Sequence, residues 1–475
     1  MLDDFDALVE AAMAESRVPG VAIAMLQGDE TILLKGYGRR DIDAPGLVTA
    51  DTQFLLCSLT KSFTATGLGL LVDEGKLDWN KPVREYLPEF RLYDAVATER
   101  TSVRDLLCHQ SGLPRHDWIH APGDLSMPQI LAALRHLRPN RDLREGFEYQ
   151  NLGYLVAGHI AERISGHDWE TFTAERLLRP LGFTSFGFSI EALAEAPDHA
   201  HPHVRHGAEV ARAALCPIRA TPAGGLNASV NDLAKWLRLW LDEGRVAGGA
   251  LLSPEVMRQM TTPHVYAGQS SNDQIGHLHY GFGMCVGYYR GARMLWHTGS
   301  WVGWSTIMAM LPDRRIGIAV LTNRAPGGVT ELLVHSALDR LCGFATTDWL
   351  GQYIAGRRKT LAQEQIAEAE RRDARAQGTA PPRAPGAYAG EYDHPAYGRI
   401  IVSEDGEGLA WGWRGMSGPL THLRHDIFTT QDRPAEIHPD NLLLTFGYNC
   451  DGLIDRISAP LEPLVDDIVF RRVRA

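Results

Sequence analysis

The sequence predicts an α+β protein: an antiparallel sheet flanked by helices and carrying a helical insert, followed by a small all-β barrel. Three observations carry that expectation. β-rich segments lie near the start of the chain and again over residues 294–322, with a helix-rich stretch between, so strands from both ends should share one sheet. Residues 378–386, Gly-Thr-Ala-Pro-Pro-Arg-Ala-Pro-Gly, form a Pro/Gly-rich linker. Beyond it, short β-favouring runs alternate with turns for about 90 residues, the pattern of a small barrel or sandwich. Domains are therefore expected at 1–345 and 387–475, joined by a helical segment and linker at 346–386.

Each element has a local reason. Phe5, Leu8, Val9, Ala12 and Met13 recur at helical spacing, so residues 3–16 should be an amphipathic helix. Val21–Leu26 and Thr31–Tyr37 read as a hairpin turning at Gln27-Gly28-Asp29-Glu30. The apolar run Phe54-Leu55-Leu56 leads into Ser58 and a helical pattern ending at Gly75. Residues 101–113 suggest a short helix closed by Gly112, and 128–137 and 152–165 are further helical patterns. The glycine-rich loop Pro222–Asn227 precedes a helix from Asn231 to Glu243, which Ser229 or Asn231 could cap. Strands return at Met294–His297, Ser305–Leu311 and Ile316–Thr322, and a helix from Val329 to Leu341 follows. In the C-terminal part, strands are expected at Tyr388–Tyr392, Arg399–Ser403, Leu409–Trp413, Ile427–Thr430, Leu442–Tyr448 and Leu453–Ile457.

Composition narrows the class. A chain of 475 residues is too long for one ordinary domain, and 44% hydrophobic with 22% charged residues suits a soluble globular protein. A net charge of −11 without basic runs gives no footing for nucleic acid or an anionic membrane surface. No uninterrupted apolar window of about 18 residues exists, so no membrane span is expected. The six cysteines are scattered and form no C-x-x-C pair, which suits buried reduced thiols in the cytosol better than a disulfide framework. The start, Met1-Leu2-Asp3-Asp4-Phe5-Asp6, has no secretory leader pattern. A cytoplasmic protein is the expectation; a mature exported form whose signal had been removed would read the same.

The chemistry centres on Ser58. If the segment after it is helical, Lys61 lies three residues on, on the same face and within reach of the serine hydroxyl. A serine becomes a nucleophile when a neighbouring base takes its proton, and N–H groups at a helix start can hold a developing oxyanion. Two further motifs follow in order: Tyr149-Gln150-Asn151 just before a helix, and His297-Thr298-Gly299-Ser300 at the end of a β-rich run.

With these three motifs spaced by about 90 and about 150 residues, the sequence resembles the serine β-lactamase and penicillin-binding protein superfamily. The spacing is similar to the class C β-lactamase branch, which includes esterases and D-aminopeptidases. Leu107-Cys108-His109-Gln110-Ser111-Gly112-Leu113 and Gly224-Gly225-Leu226 resemble further landmarks of that branch. The resemblance covers roughly residues 5–345 and implies a serine hydrolase working through an acyl-enzyme without a cofactor or metal. It implies Ser58 as nucleophile, Lys61 and Tyr149 as coupled base and proton shuttle, and Asn151 as positioner. The oxyanion hole would be the backbone N–H groups of Ser58 and Ser300, with Thr298, Gly299 and Trp301 contacting substrate. On physical grounds, Lys61 can lower the pKa of the Tyr149 phenol or, if desolvated, act as the base itself. The C-terminal segment resembles the lipocalin-like domains appended to some relatives, in which Tyr388, Tyr392, Tyr397, Trp411 and Trp413 would form a core or line a cavity.

His297, at the third-motif position and so also a candidate catalytic residue, departs from the pattern, because the lactamases carry lysine there to attract a carboxylate. A histidine is largely neutral at pH 7. The expected substrate is thus a small ester, an amide or a short peptide, including one with a D-configured residue. A β-lactamase, a D,D-carboxypeptidase or penicillin-binding protein, and a non-catalytic ligand-binding sensor are the alternatives. Clustered His199, His201, His203 and His206 raise a metal-site reading, but the spacing lacks an acidic partner and remote ligands, and no metal is expected. His277 and His279 read as loop residues. Trp296, Trp301 and Trp304 flank the third motif, as cleft walls or as packing. Homo-oligomerisation is left open.

Overall fold

The computed structural model describes residues 4–206, 209–218, 221–325, 327–376, 380–406, 408–430 and 442–473, without the side chains of 206, 367–368 and 370–376. The chain forms two compact units. The first comprises Met1–Phe90, Val96–Gly112 and Arg141–Ile354; the second comprises Arg91–Ala95, Leu113–Asn140 and Ala355–Ala475.

In the first unit, helix α1 (Phe5–Ser16) buries Phe5, Val9 and Ala12 along one stripe. Strands β1 (Gly20–Gln27) and β2 (Glu30–Gly38) form the expected hairpin. Helices α2 (Thr60–Asp73), α3 (Leu152–Ser165) and α4 (Val230–Leu241) follow. Of the two candidate caps for α4, Ser229 is the one used, its hydroxyl accepting from Asp232 N–H at 3.1 Å. The late strands are β3 (Val265–Gln269), β4 (His277–Tyr280), β5 (Cys285–Tyr289), β6 (Ala292–Trp301), β7 (Trp304–Leu311) and β8 (Ile316–Thr322), and α5 (Val329–Cys342) follows them.

The sheet runs β3-β4-β5-β6-β7-β8-β1-β2, with every pair antiparallel. The earliest strand therefore pairs with the latest, Val21 opposite Thr322 through Gln27 opposite Ile316. All residues of β7 and β8 are buried. Strands covered on both faces read as continuous apolar runs, which is how these appear in the sequence. One face meets α1 and α5 through Phe5, Val9, Leu333, Ala337 and Leu338. On the other, α4 comes so close that a Cβ at Gly317 would lie 3.1 Å from Leu241 and 3.3 Å from Leu237. His277 and His279, read as loop residues, lie on β4, paired with Gln269 and Tyr266 of β3.

The second unit contains a closed barrel of eight strands: β9 (Gly390–His394), β10 (Gly398–Asp405), β11 (Gly408–Trp413), β12 (Met416–Arg424), β13 (Ile427–Thr430), β14 (Leu443–Tyr448), β15 (Ile454–Ala459) and β16 (Ile468–Arg472). Closure leaves no exposed edge. Tyr388, Tyr392, Tyr397, Trp411 and Trp413 are all buried.

Leu113–Asn140, which the sequence expectation had placed inside 1–345, is part of this second unit. Its attachment is polar as well as apolar. His116 N–H donates to Glu462 at 2.7 Å, and His116 Nδ1 meets the Tyr397 hydroxyl at 2.7 Å. The guanidinium of Arg414 holds both oxygens of Asp124, at 2.9 and 3.1 Å from Nε, and donates to the carbonyls of Trp118 and Ile119. Glu462 and Arg414 are charged groups with almost no solvent access, and such groups need partners of this kind.

All six cysteines are free thiols; Cys57, Cys108 and Cys216 are buried, whereas Cys450 is exposed. Among the described residues no helix is long and apolar enough to cross a membrane.

Candidate active site

Ser58 sits on a short 3₁₀ turn, Cys57–Leu59, that runs directly into α2. The turn is fixed from several sides. Leu56 N–H donates to Leu226 O at 2.8 Å, and Leu56 O accepts from the Thr306 hydroxyl of β7 at 2.9 Å. Leu226 N–H in turn donates to the Thr60 hydroxyl at 3.2 Å, and the Ser62 hydroxyl accepts from Trp236 Nε1 of α4 at 3.1 Å. Cys57 is held at φ 52, an uncommon conformation for a residue other than glycine, immediately before the serine.

Lys61, on the first turn of α2, has no solvent exposure. Its Nζ lies 3.2 Å from Ser58 Oγ, 2.7 Å from Asn151 Oδ1 and 2.9 Å from Ala223 O. It also lies 4.9 Å from the ring centre of Tyr149 and 5.4 Å from that of Tyr154. Three sequence landmarks, Ser-x-x-Lys, Tyr-x-Asn and the Ala223-Gly224-Gly225 loop, thus converge on one amine. The amide and carbonyl oxygens can only accept, so they claim two N–H groups of Lys61. The third position on Nζ faces Ser58 Oγ, where an amine accepts the serine proton and an ammonium donates back.

The second motif is carried by a buttressed loop. Asp105 of a short helix, Val103–Leu107, accepts from Arg144 Nε and Nη2, both at 2.8 Å, and from Ser102 N–H at 2.8 Å. His109 O accepts from Glu148 N–H at 2.9 Å, and the buried His109 ring packs 4.5 Å from that of Tyr149. His109 lies in a stretch read as a family landmark and Asp105 in one read only as a short helix; their role in holding Tyr149 was not legible from residue type.

The third motif lies on β6. Gly299 passes so close to the nucleophile turn that a Cβ there would stand 2.6 Å from Leu56 O and 2.8 Å from Cys57 Cβ. Thr298 and Ser300 alternate with it and are exposed, as period-two geometry requires. His297 is buried. Its Nε2 lies 2.9 Å from the Tyr280 hydroxyl and its Nδ1 2.6 Å from Thr298 O. Burial, and then the nearby Lys61 cation, push its pKa down to about 3, so the ring is neutral. Trp304 is fully buried and packs edge-on to Phe54; Trp296 is half-buried, and half-buried Trp301 donates to Cys216 O at 3.2 Å.

The histidine cluster is engaged elsewhere. His199 Nδ1 meets Ala196 O at 2.6 Å, and His203 meets Asn323 O at 3.1 Å and Ile42 N–H at 3.2 Å. The His206 side chain lies outside the described ones. Among the described residues no group of three or more His, Cys, Asp or Glu is placed to hold a metal ion.

A serine at a helix start, a buried lysine against it and an antiparallel sheet whose inner strand abuts the serine together define a serine hydrolase of the β-lactamase fold. The chain belongs to the Beta-lactamase family, whose model matches residues 5–341; residues 374–472 match a domain of unknown function, DUF3471. It is similar to unguisins hydrolase ungD' of Aspergillus campestris, with 27% identity over 435 residues covering 85% of this chain and 78% of that protein. In fold it is similar to an octameric penicillin-binding protein homologue from Pyrococcus abyssi, at TM-score 0.66 and 22% identity, covering 99% of this chain and 100% of that one. D-amino acid amidase from Ochrobactrum anthropi shares the fold over 75% of this chain and 100% of its own, at TM-score 0.58 and 22% identity.

Proposed function

We propose that Ser58 is the nucleophile of an acyl-transfer cycle acting on a small uncharged ester or on an amide or peptide bond, including one beside a D-configured residue. The observation that carries this reading is the Lys61 amine, buried and held 3.2 Å from Ser58 Oγ by Asn151 and Ala223. Lys61 and Tyr149 take the serine proton as Oγ attacks the substrate carbonyl. The N–H groups of Ser58 and Ser300 receive the oxyanion. The same proton then protonates the departing alcohol or amine, leaving an acyl-enzyme. Water attacks that ester, giving its proton back through Tyr149 and Lys61 and restoring free Ser58.

Neutral His297 favours acyl donors without a carboxylate at this position, because it supplies no cation to attract one. That separates the reading from a β-lactamase or a D,D-carboxypeptidase. The names of two relatives, an unguisins hydrolase and a D-amino acid amidase, lend support to an amide or peptide substrate. The octameric homologue lends support to self-association as a further proposal.

Intact-protein mass spectrometry after exposure to a fluorophosphonate, and separately to a penicillin, tests the assignment. A fluorophosphonate adduct on the wild type that is absent from Ser58→Ala is the expected result, with no stable penicillin adduct. A stable penicillin adduct would favour a penicillin-binding site instead, and no adduct with either reagent would overturn the nucleophile assignment.

A further inference from the structure

Tyr280 has no part in the roles above, yet it touches two of the elements that carry them. It is 1% exposed and ends β4, opening the stretch Tyr280-Gly281-Phe282-Gly283. Its hydroxyl lies 2.9 Å from His297 Nε2, and its ring centre is 4.8 Å from that of His109 and 6.5 Å from that of Tyr149. Three residues on, Gly283 has φ 76 and passes against α2, where a Cβ would meet Lys61 O at 2.7 Å and Ser62 Cα at 2.8 Å. One tetrapeptide therefore bridges the third-motif histidine and the backbone of the lysine.

The protons in this cluster can be assigned by elimination. Thr298 O, a carbonyl, can only accept, so His297 Nδ1 carries a proton and donates to it at 2.6 Å. The neighbouring Tyr154 hydroxyl donates to Leu107 O at 2.9 Å. The Tyr280 proton then goes to His297 Nε2 or to Tyr154. If it went to Tyr154, Nε2 would need a proton of its own, making a buried imidazolium beside Lys61. Burial and that lysine hold the imidazole pKa down to about 3, which removes this choice.

We propose that Tyr280 is a positioning residue of the active site: its O–H donates to Nε2 and locks His297 as the neutral Nδ1–H tautomer. Both ring nitrogens are then satisfied inside the protein. The imidazole keeps one orientation beneath the third motif, and β6 is held in register with the nucleophile turn. Catalytic relevance rests on the Ser58 reading above, but the tautomer does not.

Long-range ¹H–¹⁵N correlation of the histidine rings in the full-length protein tests this, with His297→Gln assigning the signals. The wild type should show His297 with a pyrrole-type Nδ1 and a hydrogen-bonded pyridine-type Nε2. In Tyr280→Phe the Nε2 signal should move or the tautomer should switch, with kcat lowered about tenfold and KM nearly unchanged. A protonated Nε2 in the wild type would overturn the proposal whether or not the variant folds. So would a His297 spectrum unchanged in Tyr280→Phe. If instead Ser58→Ala kept its fluorophosphonate adduct, the reading of the nucleophile would fail while the tautomer result stood.

Discussion

Replacing Gly299 by alanine should push the third-motif strand away from the nucleophile. A Cβ at this position would stand 2.4 Å from the Thr306 hydroxyl oxygen, 2.6 Å from Leu56 O and 2.8 Å from Cys57 Cβ. Ordinary contact lies near 3.4 Å or beyond, so strand and turn must part by about 0.8 Å. The turn cannot yield alone, because Leu56 is bonded through its N–H to Leu226 and through its carbonyl to Thr306. Overpacking of this kind costs about 1–3 kcal/mol of stability. A misplacement approaching 1 Å at reacting groups lowers turnover by up to about a hundredfold. The assay is steady-state hydrolysis of a chromogenic ester by Gly299→Ala, with the melting temperature measured on the same sample. A Gly299→Ala enzyme with wild-type kcat and unchanged melting temperature would show that the strand does not abut the turn and refute the reasoning.

Two further outcomes follow from charges held in the fold. His297 and His335 are both buried, and burial pushes their pKa values down from 6.5 to about 3 and about 4. Each is neutral when folded and gains a proton on unfolding below pH 6.5. Their contribution is therefore intact above that pH and is lost as pH falls towards 4, which urea midpoints measured from pH 7.5 to 4 should register; a flat profile would refute it. In the second unit, Arg414→Ala should destabilise by about 2–3 kcal/mol, because it leaves Asp124 and two main-chain carbonyls without their donor. Unfolding followed by tryptophan fluorescence would register the loss, and a wild-type midpoint would count against the contact.

Much of this was legible from residue type. The apolar runs of β1, β7 and β8 read as strands, and the structure brings Ser58, Lys61 and Asn151 of the first two motifs together. What escaped has identifiable causes. Strand β4 reads His-Leu-His-Tyr between glycines, a polar and short sequence that pairing with its neighbours makes a strand. Strand β12 contains Gly418 and Pro419, both poor strand formers, yet closure of the barrel recruits it. Tyr280 carried no signal of its own in the sequence, because its partner His297 is 17 positions away and only the sheet brings them together. The attachment of Leu113–Asn140 was beyond reach for a similar reason: its partners Tyr397, Arg414 and Glu462 lie far along the chain.

That last separation bears on how the chain is made. His116 and Glu462 are 346 positions apart, and Arg414 and Asp124 are 290 apart. A ribosome delivers Leu113–Asn140 hundreds of residues before these partners, so the excursion emerges with its polar groups unmatched until Arg414 and Glu462 have been made. Contacts of such long range form slowly and leave apolar surface open in the interval. The barrel segment would then set the pace of maturation, and a transcript shortened before Glu462 would leave an earlier segment without a group that seats it.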